Sequence, residues 1–214
     1  MIKLSKRLLE IVNHLDFKEK VLDVGCDHGK LAIYLILNNH YNNINVSDNK
    51  LSALNQAIKN IEDYNLKDKI TYHLGEGIEF IDNLDLDTLI ISGLGTRTIL
   101  KIINHKNLNK INKLVIQANN EHYLLREEII NLGFNLVKET VIKDSNHYYI
   151  TMTFIRGKSN LTELEKEFGI HHNKDYLTNE LLKYNKIINN PQVNAKAKNK
   201  FIEIINKLEK LINN

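Results

Sequence analysis

The stretch Val21-Leu-Asp-Val-Gly-Cys-Asp-His-Gly29 joins a short apolar run to a turn that contains two glycines. The run predicts a buried strand, and the apolar residues that follow the turn predict a helix. In α/β proteins, a strand that passes through a glycine-bearing turn into a helix forms a nucleotide pocket. The stretch therefore predicts an α/β domain with a nucleotide-like ligand beside its first strand.

A second feature is Asp48, which follows the apolar segment Ile44 to Ser47, nineteen residues after Gly29. A carboxylate at this point of an α/β unit can accept hydrogen bonds from both hydroxyls of a ribose. The turn reads Asp-x-Gly-x-Asp-x-Gly and lacks the Gly-x-Gly-x-x-Gly spacing that lets a backbone approach a pyrophosphate. A cofactor with adenosine but no phosphates is favoured, which indicates S-adenosylmethionine rather than NAD.

Composition narrows the class of protein. A chain of 214 residues with 43% hydrophobic residues can hold one α/β domain and an appendage. Its only cysteine, Cys26, has no partner for a disulfide, so a reducing compartment and a cytoplasmic location are expected. The longest apolar run, Leu31 to Leu37, is too short to span a bilayer, and the first residues lack a signal sequence. No membrane association is expected.

From residue 20 to about 157, short β-branched runs alternate with longer amphipathic segments, the pattern of a parallel sheet with helices on both faces. A leading helix, Ser5 to Leu15, is expected to cover the mouth of the pocket. The predicted strands are 20–24, 43–47, 69–74, 87–92, 112–117, 135–143 and 147–156. The predicted helices are 29–39, 50–64, 77–82, 96–104 and 121–132.

The last two predicted strands are joined by Asp144-Ser145-Asn146, a turn cluster too short for a helix, so they should form an antiparallel hairpin. Five alternating units closed by a hairpin match the sheet of class I methyltransferases. The predicted fold class is therefore α/β, with a Rossmann-like, mostly parallel sheet in residues 1–157 that binds S-adenosylmethionine.

Residues 158–214 have no strand pattern and form a separate predicted domain. Helices are expected at Thr162 to Phe168, where Thr162-Glu-Leu-Glu165 has capping-box form, at Lys174 to Asn189 and at Ala195 to Asn213. The two long helices should pack as an antiparallel hairpin of coiled-coil type. Their apolar stripes serve either this packing or a dimer seam, and a monomer without an obligate protein partner is expected.

The first loop holds the first candidate ligands. Gly25 lets the backbone pass close to the cofactor, and Asp27 replaces a glycine that most S-adenosylmethionine enzymes carry. The Asp27 carboxylate could bind the cofactor's ammonium group or cap the following helix, and the two roles are compatible. His28 is interpreted as a pocket wall, because no paired acid in the sequence marks it as a base.

Two further carboxylates are assigned to the adenosine half of the cofactor. Asp48 is expected to bind the ribose, with capping of the helix from Asn49 as the alternative. Glu76 is expected to accept a hydrogen bond from the exocyclic amine of adenine, while Gly77 leaves room for the ring. A plain turn at Leu74 to Ile78 is the alternative for this pair.

The fourth predicted strand ends in Ser92-Gly-Leu-Gly95, where methyltransferases place residues that face the methyl group and its acceptor. The sequence has no (Asn/Asp)-Pro-Pro-Tyr to polarise an exocyclic amine and no Pro-Cys to activate a pyrimidine. A pocket of small residues with backbone donors and acceptors suits an acceptor that is already nucleophilic, such as an unprotonated ring nitrogen.

Six stretches in order carry a resemblance to a known family: Leu4-Ser-Lys-Arg-Leu8, Asp23-Val-Gly-Cys-Asp-His28, Val46-Ser-Asp-Asn49, Leu74-Gly-Glu-Gly77, Ile91-Ser-Gly-Leu-Gly95 and Gln117-Ala-Asn119. They resemble the TrmK family, the bacterial tRNA (adenine(22)-N1)-methyltransferases, over essentially the whole chain. That family joins a class I methyltransferase domain to a C-terminal helical coiled-coil domain. Two departures lie on the acceptor side: Thr96 replaces a usual glycine, and Ala118 replaces a usual proline.

The resemblance implies methylation of adenine 22 at N1, with S-adenosylhomocysteine as the second product. N1 is unprotonated near neutral pH, so no general base and no metal are expected, and catalysis would rest on positioning. The implied cofactor residues are Arg7, Gly25, Cys26, Asp27, His28, Asp48, Asn49, Glu76, Gly77 and Gly93. The implied acceptor pocket is Ser92, Gly93, Leu94, Gly95, Gln117 and Asn119.

Basic residues are the candidates for contacts with tRNA. The formal charge of +3 falls in residues 158–214, where 10 Lys and Arg face 7 Asp and Glu. Arg7 either contacts RNA, pairs with the cofactor carboxylate or is solvated, and the lysines are otherwise interpreted as the solvated faces of helices. The lysines assigned to RNA are Lys3, Lys6, Lys196, Lys198, Lys200 and Lys207.

Two other functions remain open on the residues alone. A class I methyltransferase that acts on a small molecule or a protein would share every cofactor residue, and salt-sensitive tRNA affinity would distinguish it. A non-catalytic module with the same fold would hold a protein partner through its helical hairpin, and the complete set of loop residues argues against it.

Overall fold

The computed structural model describes residues 2–213 and divides into two compact units between Leu161 and Thr162. The boundary predicted from the sequence, after Gly157, lies close to this division. None of the helices in the described range is long and apolar enough to cross a membrane.

The first unit contains a seven-stranded sheet of order β3-β2-β1-β4-β5-β7-β6. Strands β1 to β5 run parallel, and β7 is antiparallel to both β5 and β6. This topology confirms the predicted class I methyltransferase fold. The strands are β1 Val21–Val24, β2 Ile44–Asp48, β3 Ile70–Leu74, β4 Thr88–Leu94, β5 Lys113–Ala118, β6 Phe134–Asp144 and β7 His147–Arg156.

The position of β1 between β2 and β4 creates the site for a ligand. The chain leaves β1 towards β2 on one side and reaches β4 on the other, so the connections diverge and a crevice opens at the carboxyl ends of these strands. All four residues of β1 are buried, and Leu22 and Val24 lie opposite Leu89 and Ile91 of β4. The switch point therefore rests on a well-packed core.

Five α-helices accompany the sheet in the described part of the first unit, and two of its turns are 3₁₀ helices. The predicted helix 77–82 is a 3₁₀ helix, Glu79–Asn83, and a second, Lys106–Lys110, was not predicted, because five residues are too few for an amphipathic repeat. The α-helices are α1 Lys6–Val12, α2 Lys30–Leu37, α3 Leu51–Asp63, α4 Thr96–Ile103 and α5 His122–Asn131.

The leading helix ends at Val12, earlier than predicted, and the side chain of His14 is hydrogen-bonded to the β6–β7 hairpin. Its Nδ1 lies 2.6 Å from Thr153 Oγ1, and its Nε2 lies 2.8 Å from Thr140 Oγ1. Burial, reinforced by the nearby ammonium of Lys138, lowers the pKa of His14 to about 4, so the ring is neutral near pH 7. A neutral histidine thus fixes the chain after α1 against the hairpin.

A buried ion pair joins α5 to β6. The Arg126 Nη2 and Nε atoms lie 2.6 and 3.0 Å from Glu139 Oε1, and the two side chains are 1% and 0% exposed. Desolvation of both charges is costly, so the pair depends on good geometry and on both members being present.

The second unit consists of α6 Glu163–Phe168, α7 Lys174–Ile188 and α8 Ala195–Asn213. The predicted capping box at α6 is present: Thr162 N donates to Glu165 Oε2, and Glu165 N donates to Thr162 Oγ1. The predicted stripes of α7 and α8 face each other within the chain, with Leu177, Ile204 and Leu208 buried in one cluster.

The two long helices pack antiparallel. Tyr184 near the end of α7 and Phe201 near the start of α8 have ring centroids 5.8 Å apart. Leu177 near the start of α7 shares its cluster with Leu208 near the end of α8. The stripe that was open to use as a dimer seam is therefore filled from within the chain.

We predict that replacing Arg126 with Met lowers the free energy of unfolding by about 3–5 kcal/mol, because it removes the cation that faces a buried carboxylate. Urea denaturation of the full chain measures the effect. Arg97→Met is the matched control, since Arg97 forms an exposed pair with Glu121 whose removal should have little effect on stability. Equal losses in the two variants would contradict the prediction.

Candidate functional site

A pocket of about 990 Å³ opens at the carboxyl ends of β1, β2 and β4. Its size and position are those of a small-molecule site at a switch point. The predicted cofactor residues all line it: Arg7, Gly25, Cys26, Asp27, His28, Asp48, Asn49, Glu76, Gly77 and Gly93.

The loop after β1 is held by its own backbone. The N–H groups of Gly25 and Cys26 donate to the carbonyl of Ser47, at 2.8 and 3.0 Å, and the N–H of Gly29 donates to the carbonyl of Cys26 at 2.8 Å. Asp27 adopts a left-handed conformation with φ of +49°. Aspartate tolerates this region better than most residues, which explains how it occupies a usual glycine position.

The structure separates the two interpretations of Asp27. Helix α2 begins after Gly29 and has no side-chain capping bond, so Asp27 does not cap it. Its side chain is 74% exposed, and its Oδ2 lies 3.6 Å from His28 Nε2. The carboxylate is therefore available to a ligand in the pocket.

Cys26 is buried beside this loop. Burial, with the charges of Asp23 and Asp48, raises the pKa of its thiol well above the ordinary value. The thiol stays protonated near pH 7, so Cys26 acts as an apolar wall and not as a nucleophile.

Asp48 ends β2 as predicted. Its Oδ1 accepts a hydrogen bond of 2.9 Å from the N–H of Lys50, and the helix cap residue itself has no side-chain bond. The other carboxylate oxygen of Asp48 has no hydrogen bond within residues 2–213, and it belongs to the pocket wall. The residue thus braces the turn before α3 and still offers an acceptor to a ligand.

Asp23 is a pocket residue that the sequence patterns did not single out. It is 4% exposed, lies in the apolar strand β1 and lines the pocket. Burial, together with the charge of Asp48, raises its pKa to about 7. A carboxylate in an otherwise apolar buried strand needs a partner. The single charged residue among the apolar residues of Val21-Leu-Asp-Val24 is therefore the signal by which the sequence could have identified Asp23 as a site residue. A cationic ligand would supply the partner.

Glu76 and Gly77 follow β3 and also line the pocket. The Lys101 Nζ atom lies 2.5 Å from Glu76 Oε1 and lowers the pKa of that carboxyl. Gly77 has a φ of +59°, and a Cβ there would lie 3.0 Å from the carbonyl oxygen of Ile102. The close approach of α4 thus requires glycine at this position.

The predicted acceptor residues divide into two groups. Ser92, Gly93 and Leu94 line the pocket, whereas Gly95, Gln117 and Asn119 do not. The Asn119 side chain donates to the Gly93 carbonyl at 2.7 Å and thereby supports a bulge between Ser92 and Leu94. Gly95 is the residue before α4.

Gln117 lies behind the pocket and is completely buried. Its Oε1 accepts from Arg7 Nη1 at 3.0 Å, and its Nε2 donates to the Ala118 carbonyl at 2.9 Å. Arg7 and Leu8 of α1 line the pocket, so the leading helix contributes one wall, as expected.

The basic residues assigned to RNA are mostly exposed. Lys3 and Lys6 lie on the surface of the first unit but outside the pocket lining. In α8, Lys196 and Lys200 are exposed and Lys198 is half-buried. Lys207 lies 2.8 Å from Glu167 Oε2, so its charge is partly compensated.

No cluster of three or more His, Cys, Asp or Glu side chains suited to a metal ion occurs in residues 2–213.

Comparison with known proteins agrees with this geometry. A family model described as a methyltransferase domain matches residues 4–152. A putative tRNA methyltransferase of Mycoplasma genitalium is 31% identical over 150 residues, which cover 68% of this chain and 67% of that protein. The tRNA (adenine(22)-N(1))-methyltransferase of Bacillus subtilis is 25% identical over 150 residues, 69% of this chain and 63% of that protein. The aligned part thus spans about two thirds of each relative.

One solved structure is similar to this chain over almost its whole length. M. capricolum TrmK in complex with S-adenosyl-homocysteine has a TM-score of 0.86 and 32% sequence identity, with 98% of each chain covered.

We predict that Asp23→Asn stabilises the free protein at pH 8 by about 1–3 kcal/mol, because the variant has no buried charge to desolvate. The folded-state pKa of Asp23 is raised to about 7, above its unfolded value, so the penalty is complete above pH 7, shrinks as the pH falls below 7, and is lost only near the ordinary pKa of an aspartate. Thermal unfolding at pH 8 and pH 5.5 measures the stabilisation at each pH, which should be clearly smaller at pH 5.5.

Asp27→Asn is the control, since it removes an exposed carboxylate from the same loop. Its effect on stability should be small and similar at the two pH values. A loss of stability in Asp23→Asn at pH 8 would contradict the proposed cost of the buried charge.

Proposed function

This chain belongs to the TrmK family of methyltransferase-domain proteins, and we propose that it transfers a methyl group from S-adenosylmethionine to N1 of adenine 22 in tRNA. The observation that carries the proposal is the pocket at the switch point, with the buried carboxylate of Asp23 at its base. The resemblance over 98% of the chain to a family member solved with S-adenosyl-homocysteine supports the same ligand here.

The residues of the pocket fit this cofactor. The cofactor carries an ammonium group, and a cation in the pocket would compensate the buried carboxylate of Asp23, so Asp23 and Asp27 would be its acceptors. Asp48 and Asn49 would hold the ribose, and Glu76 and Gly77 would flank the adenine. Gly25, Cys26, His28 and Gly93 would form the walls around the sulfur-bearing chain.

Bound S-adenosylmethionine supplies an electrophilic methyl group. The N1 atom of adenine is unprotonated near neutral pH, so the protein has no proton to remove from it before attack. Ser92, Gly93 and Leu94 would instead hold the base against the methyl group, and the Asn119 bond to the Gly93 carbonyl fixes the shape of that wall. Catalysis would then come from geometry, since near-attack positioning is the main requirement.

N1 normally takes part in base pairing or tertiary contacts, so the target base must leave its stack. Extrusion costs a few kcal/mol, which contacts elsewhere on the tRNA must offset. We assign those contacts to Lys3 and Lys6 of the first unit and to the lysines of α8, because exposed ammonium groups neutralise phosphates.

We further propose that the enzyme acts in the cytoplasm as a monomer. The packing of α7 against α8 within one chain supports the monomer, since it leaves the predicted stripe no role as a dimer seam. The single, buried cysteine is consistent with a reducing compartment.

Incubation with S-adenosylmethionine labelled in the methyl group and with unmodified tRNA tests the activity. We expect label in N1-methyladenosine after digestion to nucleosides, and none from a tRNA with guanosine at position 22. Asp48→Ala should weaken cofactor binding by about tenfold, because it removes hydrogen bonds to the ribose. Label in protein or small molecules, with none in tRNA, would favour another class I methyltransferase.

We predict that replacing Lys196, Lys198 and Lys200 together with Gln weakens tRNA binding and leaves cofactor affinity unchanged. The slope of log Kd against log salt concentration should fall by up to about 0.9 for each phosphate that the variant no longer neutralises. Filter binding over a series of salt concentrations gives both the tRNA affinity and the slope, and calorimetry gives the cofactor affinity.

The matched control replaces Lys158, Lys174 and Lys186, which are exposed and lie outside α8, and changes the net charge equally. Identical affinities and slopes in the two triple variants would show that α8 has no specific role in RNA binding.

A further inference from the structure

Arg7 is held on three sides at the wall of the pocket. Its Nη1 donates to Gln117 Oε1 at 3.0 Å, and its Cζ lies 5.7 Å from the centre of the Tyr149 ring. On the third side lies Gly93, where an added Cβ would come within 2.8 Å of Nη1. The guanidinium is therefore placed by strands β4, β5 and β7, although it belongs to α1.

The charge of Arg7 is not compensated by a carboxylate anywhere in the described chain. The other arginine of the pocket wall, Arg97, pairs with Glu121 at 3.2 Å, and Lys101 pairs with Glu76 at 2.5 Å. The partner of Arg7 is a neutral amide. A guanidinium that is oriented but not neutralised is suited to bind an anion.

The hydrogen bonds around Gln117 allow only one orientation of its side-chain amide. Its Nε2 donates to the Ala118 carbonyl, which turns Oε1 towards Arg7. The reversed amide would place two donors against each other. Gln117 is completely buried at the end of β5 and does not line the pocket, although the family resemblance implied a place for it around the acceptor base.

We infer that Gln117 is a positioning residue that holds Arg7 as the anion-binding group of this pocket. The inference rests on the proposed function, which brings two anionic groups to the site: the carboxylate of the cofactor's amino-acid portion and a phosphate of the tRNA. Arg7 and the loop that begins at Gly25 line the same pocket, and both approach the end of β4: a Cβ on Gly25 would lie 3.6 Å from Leu94, and one on Gly93 would lie 2.8 Å from Arg7 Nη1.

Calorimetry with two ligands tests the first source of the anion. S-adenosylhomocysteine carries the carboxylate, whereas 5′-methylthioadenosine has the same nucleoside and sulfur without the amino-acid portion. If the cofactor is the source, Arg7→Met weakens S-adenosylhomocysteine binding by about 10- to 100-fold and leaves methylthioadenosine binding unchanged.

Titration with tRNA tests the second source. If a phosphate is the anion, Arg7→Met leaves the affinities for both small ligands unchanged, weakens tRNA binding and lowers the salt slope by about 0.9. Lys18→Met is the control in both assays, because Lys18 is exposed and does not line the pocket.

Gln117→Glu separates positioning from simple packing. Glutamate keeps the shape and the acceptor but neutralises Arg7, so the variant should show the same selective loss of binding as Arg7→Met. Its thermal stability should fall, since a carboxylate oxygen replaces the amide group that donates to the Ala118 carbonyl, so binding is measured well below the Tm of the variant. A purely structural role predicts wild-type binding for this variant.

The outcomes distinguish this inference from the function on which it rests. If the wild-type protein binds S-adenosylhomocysteine and both variants bind it and tRNA equally well, the inference is wrong and the proposed function stands. If the wild-type protein binds neither S-adenosylhomocysteine nor tRNA, the proposed function is wrong, and the role of Arg7 is rejected with it.

Discussion

The site depends on one costly placement, a carboxylate inside a strand whose other residues are apolar. Asp23 is buried between β2 and β4, and the negative charge of Asp48 nearby makes its ionisation harder still. A protein gains nothing in stability from such a group, so we attribute its presence to the contact with the cofactor proposed above. The parallel strands around it supply the rigid frame that keeps the carboxylate at the floor of the crevice.

Around that floor, the polar groups of the structure serve mainly to hold other groups in place. Asn119 supports the Gly93 bulge, Gln117 orients Arg7, and Asn120 accepts a hydrogen bond of 3.0 Å from the N–H of Thr96 at the start of α4. Such support is what a reaction without a general base requires, because small errors in placement reduce the rate directly. Asn120 also accommodates Thr96, which stands at a position where the family usually has glycine. The Thr96 hydroxyl donates to the Asn120 carbonyl at 2.6 Å.

Local patterns predicted the fold and part of the site. The alternation of strands and helices, the short turn before His147 and the carboxylate at the end of β2 are properties of neighbouring residues, so periodicity and spacing suffice to find them. The bond between Arg7 and Gln117 joins residues 110 positions apart, and the pair of Glu76 with Lys101 depends on how a loop meets a helix. Contacts of this kind depend on tertiary packing, which no local pattern records.

The main-chain bonds of the loop after β1 have a consequence for ligand choice. The amide hydrogens of Gly25 and Cys26 both point at the carbonyl of Ser47, and that of Gly29 points at Cys26. Oxidoreductases that bind a dinucleotide direct amides of the equivalent turn at the bridging phosphates. Here these three donors are already used inside the protein and are not available to a pyrophosphate, so the backbone of the turn agrees with the phosphate-free cofactor that its glycine spacing indicates.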